Sequence, residues 1–453
     1  MTVAATPAPA TRTRLGSVDL LRGLVMIVMV LDHTRDYVHI GGLTGDPTDL
    51  ATTTPLLFMT RWVTHYCAPI FVFLAGIGAY LQRSRGMSTG DLSRFLVTRG
   101  LWLIVLEVTV IRTCIWFNLD YSFLTNLQVI WVLGVSMIVL AALIHLPLAA
   151  VASFGLALIV LHNAFDGIRV MGWQGPGSPV PTAAAKLWML LHQGGQVFPV
   201  LDESSPVVFV IYPLVPWLGV IAVGYVFGAI YTLDPARRRA LLLRIGLALL
   251  AAFVVIRATN LYGDPRPWSA QPSLLFSMFS FVNTTKYPVS LLYLLMTIGP
   301  ALLALAWFES RRQPSRAEHI VTRVGRVPLF FYLWQWPLAH GVAIALSAAA
   351  GKDIGWYFTS PPAVFAAAPA NAGFDLPIVY LCWAAVLAVL IPLSLWFARV
   401  KERNPAGKSH HYFCVPEYSS ICFVRSIGYD TVTSVIVPDA SVTAVSFGIT
   451  KPV

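Results

Sequence analysis

Apolar residues in this chain run in long blocks rather than in the short periodic stripes of a water-soluble fold. A helix needs about 20 mostly apolar residues to cross about 30 Å of hydrocarbon. That ruler picks out residues 18–38, 56–81, 98–117, 124–144, 147–163, 206–230, 243–262, 287–308, 327–349 and 376–398. The pattern predicts an all-α fold, a polytopic membrane helix bundle of about ten transmembrane helices. The first block is no cleavable signal sequence, because it contains Asp32, His33, Arg35 and Asp36 and no small-residue cleavage site follows it. No internal repeat at a fixed period is visible, which weighs against a transporter built from inverted halves.

Composition agrees with the pattern. Of 453 residues, 57% are apolar and 11% charged, against about a quarter charged in a soluble domain, so an ordinary water-soluble enzyme is excluded. The net charge of +10 does not point to nucleic acid, because the basic residues sit in short clusters between apolar blocks. One set of loops holds Arg12 and Arg14; Arg83, Arg85 and Arg94; Arg237, Arg238 and Arg239; Arg311, Arg312, Arg316, Arg323 and Arg326; and Arg399, Lys401 and Arg403. The alternate loops hold little beyond Arg169, Lys186, Arg266, Lys286 and Lys352. Lys and Arg stay on the cytoplasmic side, so both termini are expected there, in the plasma (inner) membrane. Residues 1–16 read as a cytoplasmic tail, 17–403 as the membrane domain and 404–453 as a separate C-terminal tail. Residues 430–449 of that tail alternate in a strand-like way and carry no functional reading. Cys67, Cys114 and Cys382 fall in apolar blocks and Cys414 and Cys422 in the tail, so no disulfide framework is expected.

Charged side chains inside spans are costly and usually face a cavity or a partner. Here they gather in one layer near the predicted outer surface. Asp32, His33, Arg35, Asp36 and His39 occupy the outer third of the first helix, with Arg61 and His65 at the same depth on the second. Arg112, Arg257, Asn260 and Lys286 join them. Residues three or four apart share a helix face, so Arg22, Met26, Met29, His33, Asp36 and Tyr37 form one stripe. Asp36 can reach His33 or, while the helix lasts, His39. A carboxylate beside an imidazole fixes its tautomer and supports the imidazolium, as a general base requires. A metal site is the competing reading of this His-Asp-His set, but no cysteine or second carboxylate cluster completes a shell, so none is expected. Glu107 lies deep in the third helix and is expected to form a buried ion pair with Arg112 or Arg61. Most Trp and Tyr read as interfacial belt residues.

Several ordered motifs carry a resemblance: RLGSVDLLRGLVMIVMVLDHTRDYVH (14–39), DPTDL (46–50), TRWVTHYCAPIFVFLAG (60–76), RGLWLIVLE (99–107), YPLVPWLGV (212–220), NLYGDPRPW (260–268), NTTKYPVSLLYLLMTIGP (283–300) and VPLFFYLWQWPLAH (327–340). Together they resemble the bacterial branch of the heparan-alpha-glucosaminide N-acetyltransferase catalytic-domain family, over nearly everything from Arg14 to Arg403. The resemblance implies an acyl group, acetyl in the family, delivered from cytoplasmic acyl-CoA to a sugar acceptor across the bilayer. It implies a histidine near the outer end of the first helix as general base or as a transiently acylated group, which leaves His33 and His39 both open. Asp19 and Arg22 resemble the opening motif of the type-3 membrane acyltransferases. Gln335 departs from the family by standing where relatives carry His, leaving His340 as the ninth block's imidazole.

The leading expectation is therefore a membrane acyltransferase acting on an envelope saccharide or glycolipid, with acyl-CoA as co-substrate and no permanently bound cofactor. His33 or His39 would be the base, Asp36 its orienting group, and Arg61, His65 and Lys286 the charged and polar partners of the reacting atoms. Arg22, Arg99, Arg323 and Arg326 lie at inner ends of spans and would hold the donor's phosphates. The alternative is a transporter or exporter that uses the same layer as a proton-handling gate. Expected partners are the bilayer, acyl-CoA and the acceptor, with no nucleic acid and a homodimer left open.

Overall fold

Each of the predicted apolar blocks holds a helix, because in hydrocarbon the backbone polar groups have to be satisfied within their own segment. The computed structural model describes residues 16–42, 45–311, 313–361, 368–369 and 371–403. Arg12, Arg14, Arg312, Cys414, Cys422 and the tail from 404 lie outside them. In chain order the helices are α1 (Gly16–Val38), α2 (Pro55–Thr64), α3 (Cys67–Ser84), α4 (Thr89–Leu106), α5 (Arg112–Trp116), α6 (Val129–Leu143), α7 (Leu148–Leu161), α8 (Ala183–Leu191), α9 (Val215–Phe227), α10 (Pro235–Thr259), α11 (Leu274–Val282), α12 (Leu291–Ser310), α13 (Arg316–Val324), α14 (Pro328–Ala349) and α15 (Leu376–Arg403). Among the described residues, seven helices are long and apolar enough to cross a membrane, Pro55–Ser84 counting as one. The chain divides into two compact units, Met1–Ala398 and Arg399–Val453, and the described part of the second is the C-terminal end of α15.

Helix α1 is buried on nearly every side. Met26 and Val30 sit in a core with Val324 of α13, Phe331 of α14 and Val386, Leu387 and Leu390 of α15. Elsewhere small residues let helices approach backbone to backbone, as in many membrane bundles. A Cβ on Gly134 would stand 2.7 Å from the Gly100 carbonyl oxygen, and one on Gly219 would stand 2.7 Å from that of Gly155. These contacts join α4 to α6 and α7 to α9.

The second, fourth and sixth blocks depart from uninterrupted helix in ways that shape the site. The second breaks at His65 and Tyr66. Pro69 lacks an N–H and its ring crowds the carbonyl four residues back, so the His65 carbonyl is left to accept the Tyr293 hydroxyl at 2.6 Å. The fourth and sixth blocks each open on a strand: β1 (Phe123–Leu127) precedes α6, and β3 (Val207–Val210) precedes α9, with β2 (Gln196–Pro199) between them in sequence. Short apolar runs rich in Val and Phe read equally as strand or buried helix. β3 is central, parallel to β1 and antiparallel to β2, so the structure is mostly helical, as expected, with one small three-stranded sheet added. Alternation across β3 sends Val208 and Val210 into a small core with Met189 of α8, while Phe209 and Ile211 line a cavity.

Candidate functional site

The last turns of α1, the C-terminal half of α2, the segment 283–287 and the inner face of the sheet enclose a cavity of about 520 Å³. Its wall includes Asp32, His33, Arg35, Asp36, Arg61, His65 and Lys286. Seven members of the charged layer expected from the sequence thus share one space. A smaller void of about 30 Å³ adjoins it, shares Asp32, His33 and Lys286, and reaches down α1 to Met29, Cys67 and Phe71. His33 borders both.

Asp32 is the hub of the wall, a role the sequence reading did not give it. One carboxylate oxygen accepts from Arg35 at 3.2 Å and the other from Arg61. Arg35 also donates to Asp36 at 2.6 Å. The other Asp36 oxygen stands 3.7 Å from His33 Nδ1, and that nitrogen is buried without a hydrogen-bond partner. A chain of alternating charge therefore runs Arg61, Asp32, Arg35, Asp36, with the His33 imidazole beside its last carboxylate. On α1 the pairs Asp32–Arg35, Asp32–Asp36 and His33–Asp36 are three or four residues apart, the spacing at which helix side chains meet. The indole of Trp336 packs on the His33 ring, with centroids 3.9 Å apart. Trp336, Tyr212 and Tyr287 all line the cavity, although belt positions were expected for most aromatics. Their signal was the charged layer beside them, which a hydropathy reading cannot link across distant segments.

Lys286 immediately precedes the predicted block 287–308, but the helix there, α12, begins only at Leu291, so Lys286 lies within a longer loop. Asp264 fixes that loop, accepting from the Thr285 backbone at 2.8 Å, the Thr285 hydroxyl at 2.8 Å and the Ser290 hydroxyl at 2.6 Å. Arg257, buried at the end of α10, donates to the carbonyls of Phe281, Arg266, Ser280 and Asn283 at 2.7–3.1 Å. Arg112 does the same for Asn118, Asp120 and Phe123. Both belong to the expected layer, yet neither lines the cavity; they bind backbone. Glu107 also departs from expectation. Its carboxylate accepts from the Trp131 amide at 2.9 Å, satisfying an orphan donor in the first turn of α6 rather than closing an ion pair with Arg112 or Arg61.

His39 falls beyond the helix that would have brought it to Asp36, because α1 ends at Val38 and the His39 backbone bridges to Phe374. It is absent from the cavity wall. Burial, reinforced by the Arg35 charge, holds its imidazole below the ordinary value. The four arginines expected to hold the donor line neither cavity. Three of them stand where α13 meets the start of α1: Arg22 bonds Asp19 at 3.0 Å and the Gly325 carbonyl at 3.1 Å, Arg326 Nε lies 3.6 Å from Asp19, and Arg323 is in the last turn of α13. Arg99 is part of α4, on a different element.

Helices long and apolar enough to cross a membrane, with a polar, charge-lined cavity at the end of α1, define the class: a multi-pass helical membrane protein. The family of heparan-alpha-glucosaminide N-acetyltransferase, catalytic, matches residues 14–264, more than half of the chain, and the chain belongs to that family. Acetyl transfer is the family's chemistry, and the matched range contains Asp32, His33, Asp36, Arg61 and Asp264. No curated protein matches the chain.

Proposed function

We propose that the protein is an integral membrane acyltransferase that moves an acyl group, acetyl by its family, from cytoplasmic acyl-CoA to a saccharide or glycolipid acceptor entering the 520 Å³ cavity from the opposite face. On this reading the ten apolar blocks and the basic loops give ten spans with both termini cytoplasmic, with that cavity at the outer end of α1, in the plasma (inner) membrane. The observation that carries the reading is His33, set between the cavity and the void below it, with a carboxylate on its Nδ1 side.

Asp36 holds the tautomer that leaves Nε2 for the acceptor; the 3.7 Å separation tightens when substrate orders the site. His33 takes the proton from the acceptor hydroxyl or amine as that atom attacks the thioester carbonyl. Arg61 and Lys286 stabilise the oxyanion of the tetrahedral intermediate. Collapse breaks the C–S bond, and the imidazolium returns its proton to the departing thiolate. Asp32 keeps Arg61 and Arg35 in place, and His65 shapes the wall beside them. At the far end of α1, Arg22, Arg323 and Arg326 receive the donor phosphates, with Arg99 as a further cation on that face. Arg22 is eleven residues from His33, roughly 16 Å along a helix, a span suited to an extended pantetheine arm.

Reconstitution in sealed vesicles tests the direction. Acetyl-CoA on the side of Ser315 and a glucosamine-terminated acceptor on the side of Ser178 should give acetylated acceptor, and the reverse arrangement none. Single cysteines at the same positions report sidedness to an impermeant thiol reagent. Product only in the reverse arrangement, or labelling of Ser315→Cys but not Ser178→Cys from outside cells, would overturn the direction.

A further inference from the structure

A second cluster of chemistry-bearing side chains lies outside the acyl-transfer cavity. His162 begins the short helical turn that follows α7, Asp166 closes it, and His192 caps the C-terminus of α8. One ligand atom from each lies within 4.8 Å of the others. His192 Nε2 faces Asp166 Oδ1 at 3.3 Å, and the two imidazole rings stand 5.6 Å apart at 74°. His162 is 2% exposed and His192 4%. Both nitrogens of His162 are buried without a hydrogen-bond partner, a costly arrangement for a polar ring unless something else binds it.

We propose that His162, Asp166 and His192 bind one divalent transition metal, zinc by the ligand set, which staples the α8 segment to the end of α7. Two imidazoles and a carboxylate are the His-and-acid chemistry of zinc sites, with a fourth position left for water, and nitrogen donors disfavour calcium and magnesium. Ligand atoms on one zinc lie about 3.4 Å apart, so small side-chain rotations close the site. The outer shell is already in place. Asn163 Nδ2 donates to Asp166 Oδ2 at 2.8 Å, leaving Oδ1 for the metal, and Asn163 Oδ1 accepts the Leu291 amide at 2.9 Å. Such contacts orient ligands and tune affinity. The staple has a consequence for the cavity. Gly195, three residues beyond His192, forms part of its wall and donates its amide to the Val210 carbonyl at 2.7 Å, so metal at His192 fixes one side of the acceptor space. The site stands independently of acyl transfer.

The test uses tag-free full-length protein in detergent, stripped with a chelator and then given Zn²⁺ alone. About one zinc per chain should survive dialysis, Co²⁺ in its place should give the visible absorption of a tetrahedral site, and the apparent Tm should rise with metal. Asp166→Asn, which keeps a side chain of the same shape, should lower zinc affinity about 10–100-fold, and His192→Ala should abolish stoichiometric binding. His39→Ala, away from the cluster, should hold zinc normally. A wild-type protein that retains no zinc and shows no Tm shift would overturn the site, as would Asp166→Asn and His192→Ala variants that bind zinc as well as wild type.

Discussion

Arg61 and Arg257 are the same residue type at the same end of the bundle, and they serve opposite purposes. Arg61 meets a carboxylate, Asp32, and faces the cavity. Arg257 donates to four backbone carbonyls, with the Asp264 carboxylate 3.9 Å away as a looser ionic partner, and does not line the cavity. A guanidinium on carbonyls satisfies backbone that would otherwise be buried unpaired, whereas one held by a carboxylate at a cavity wall keeps donors available to a ligand. Burial and charge alone do not separate the two; the groups that accept their hydrogen bonds and their access to the cavity do.

The comparison predicts how variants should fail. Arg257→Ala leaves four carbonyls without a donor and should destabilise by at least about 3 kcal/mol, given roughly 1.5–3 kcal/mol for each bond to a charged group and incomplete additivity. The readouts are apparent Tm and yield of folded protein. Arg257→Lys should not rescue it, because one ammonium cannot reproduce the guanidinium fork. Arg61→Ala should instead lower acetyl transfer by about 10²-fold with a smaller change in Tm, and Arg61→Lys should recover part of the activity. Equal damage to folding from Arg61→Ala and Arg257→Ala would erase the distinction.

Smaller effects sharpen it. Asp264→Ala should loosen the loop that carries Lys286 and reduce kcat about tenfold, in keeping with the sensitivity of reaction geometry to supporting groups. Joint replacement Arg323→Gln and Arg326→Gln should raise the KM for acetyl-CoA several-fold while leaving acceptor dependence unchanged; an unchanged donor KM moves the donor site elsewhere. His39→Ala should change turnover least, less than about threefold, since general-base loss costs far more. With its folded-state pKa held low by burial and by Arg35, His39 favours the folded protein fully above its unfolded value and less as pH falls below it. His39→Ala should therefore flatten the acid side of a Tm–pH profile.

Much of this was legible in the chain. The helices announce themselves because apolar length is a strong signal, and Asp32, His33, Asp36, Arg61 and His65 could be grouped by helical spacing and depth. The sheet was not legible, since residues 123–127 and 207–210 are apolar enough to pass for span ends and they pair across some 80 intervening residues. Nor was the division of labour among the arginines, because a carbonyl partner leaves no mark in sequence. Asp264 appeared only within a motif; its grip on the Lys286 loop is a tertiary fact. The end of α1 at Val38 separated His33 from His39, where spacing had left them equivalent.

His33 is proposed as the base of acyl transfer. The direct measurement is CoA release from acetyl-CoA with a glucosamine-terminated acceptor, by purified wild type and His33→Ala, with Tm read on the same samples. Loss of a general base lowers rate about 10²–10⁴-fold, and that fall is predicted here at an apparent Tm within a few degrees of wild type. A His33→Ala variant that keeps its rate within a few-fold, or that loses rate only in step with folded protein, would contradict the account.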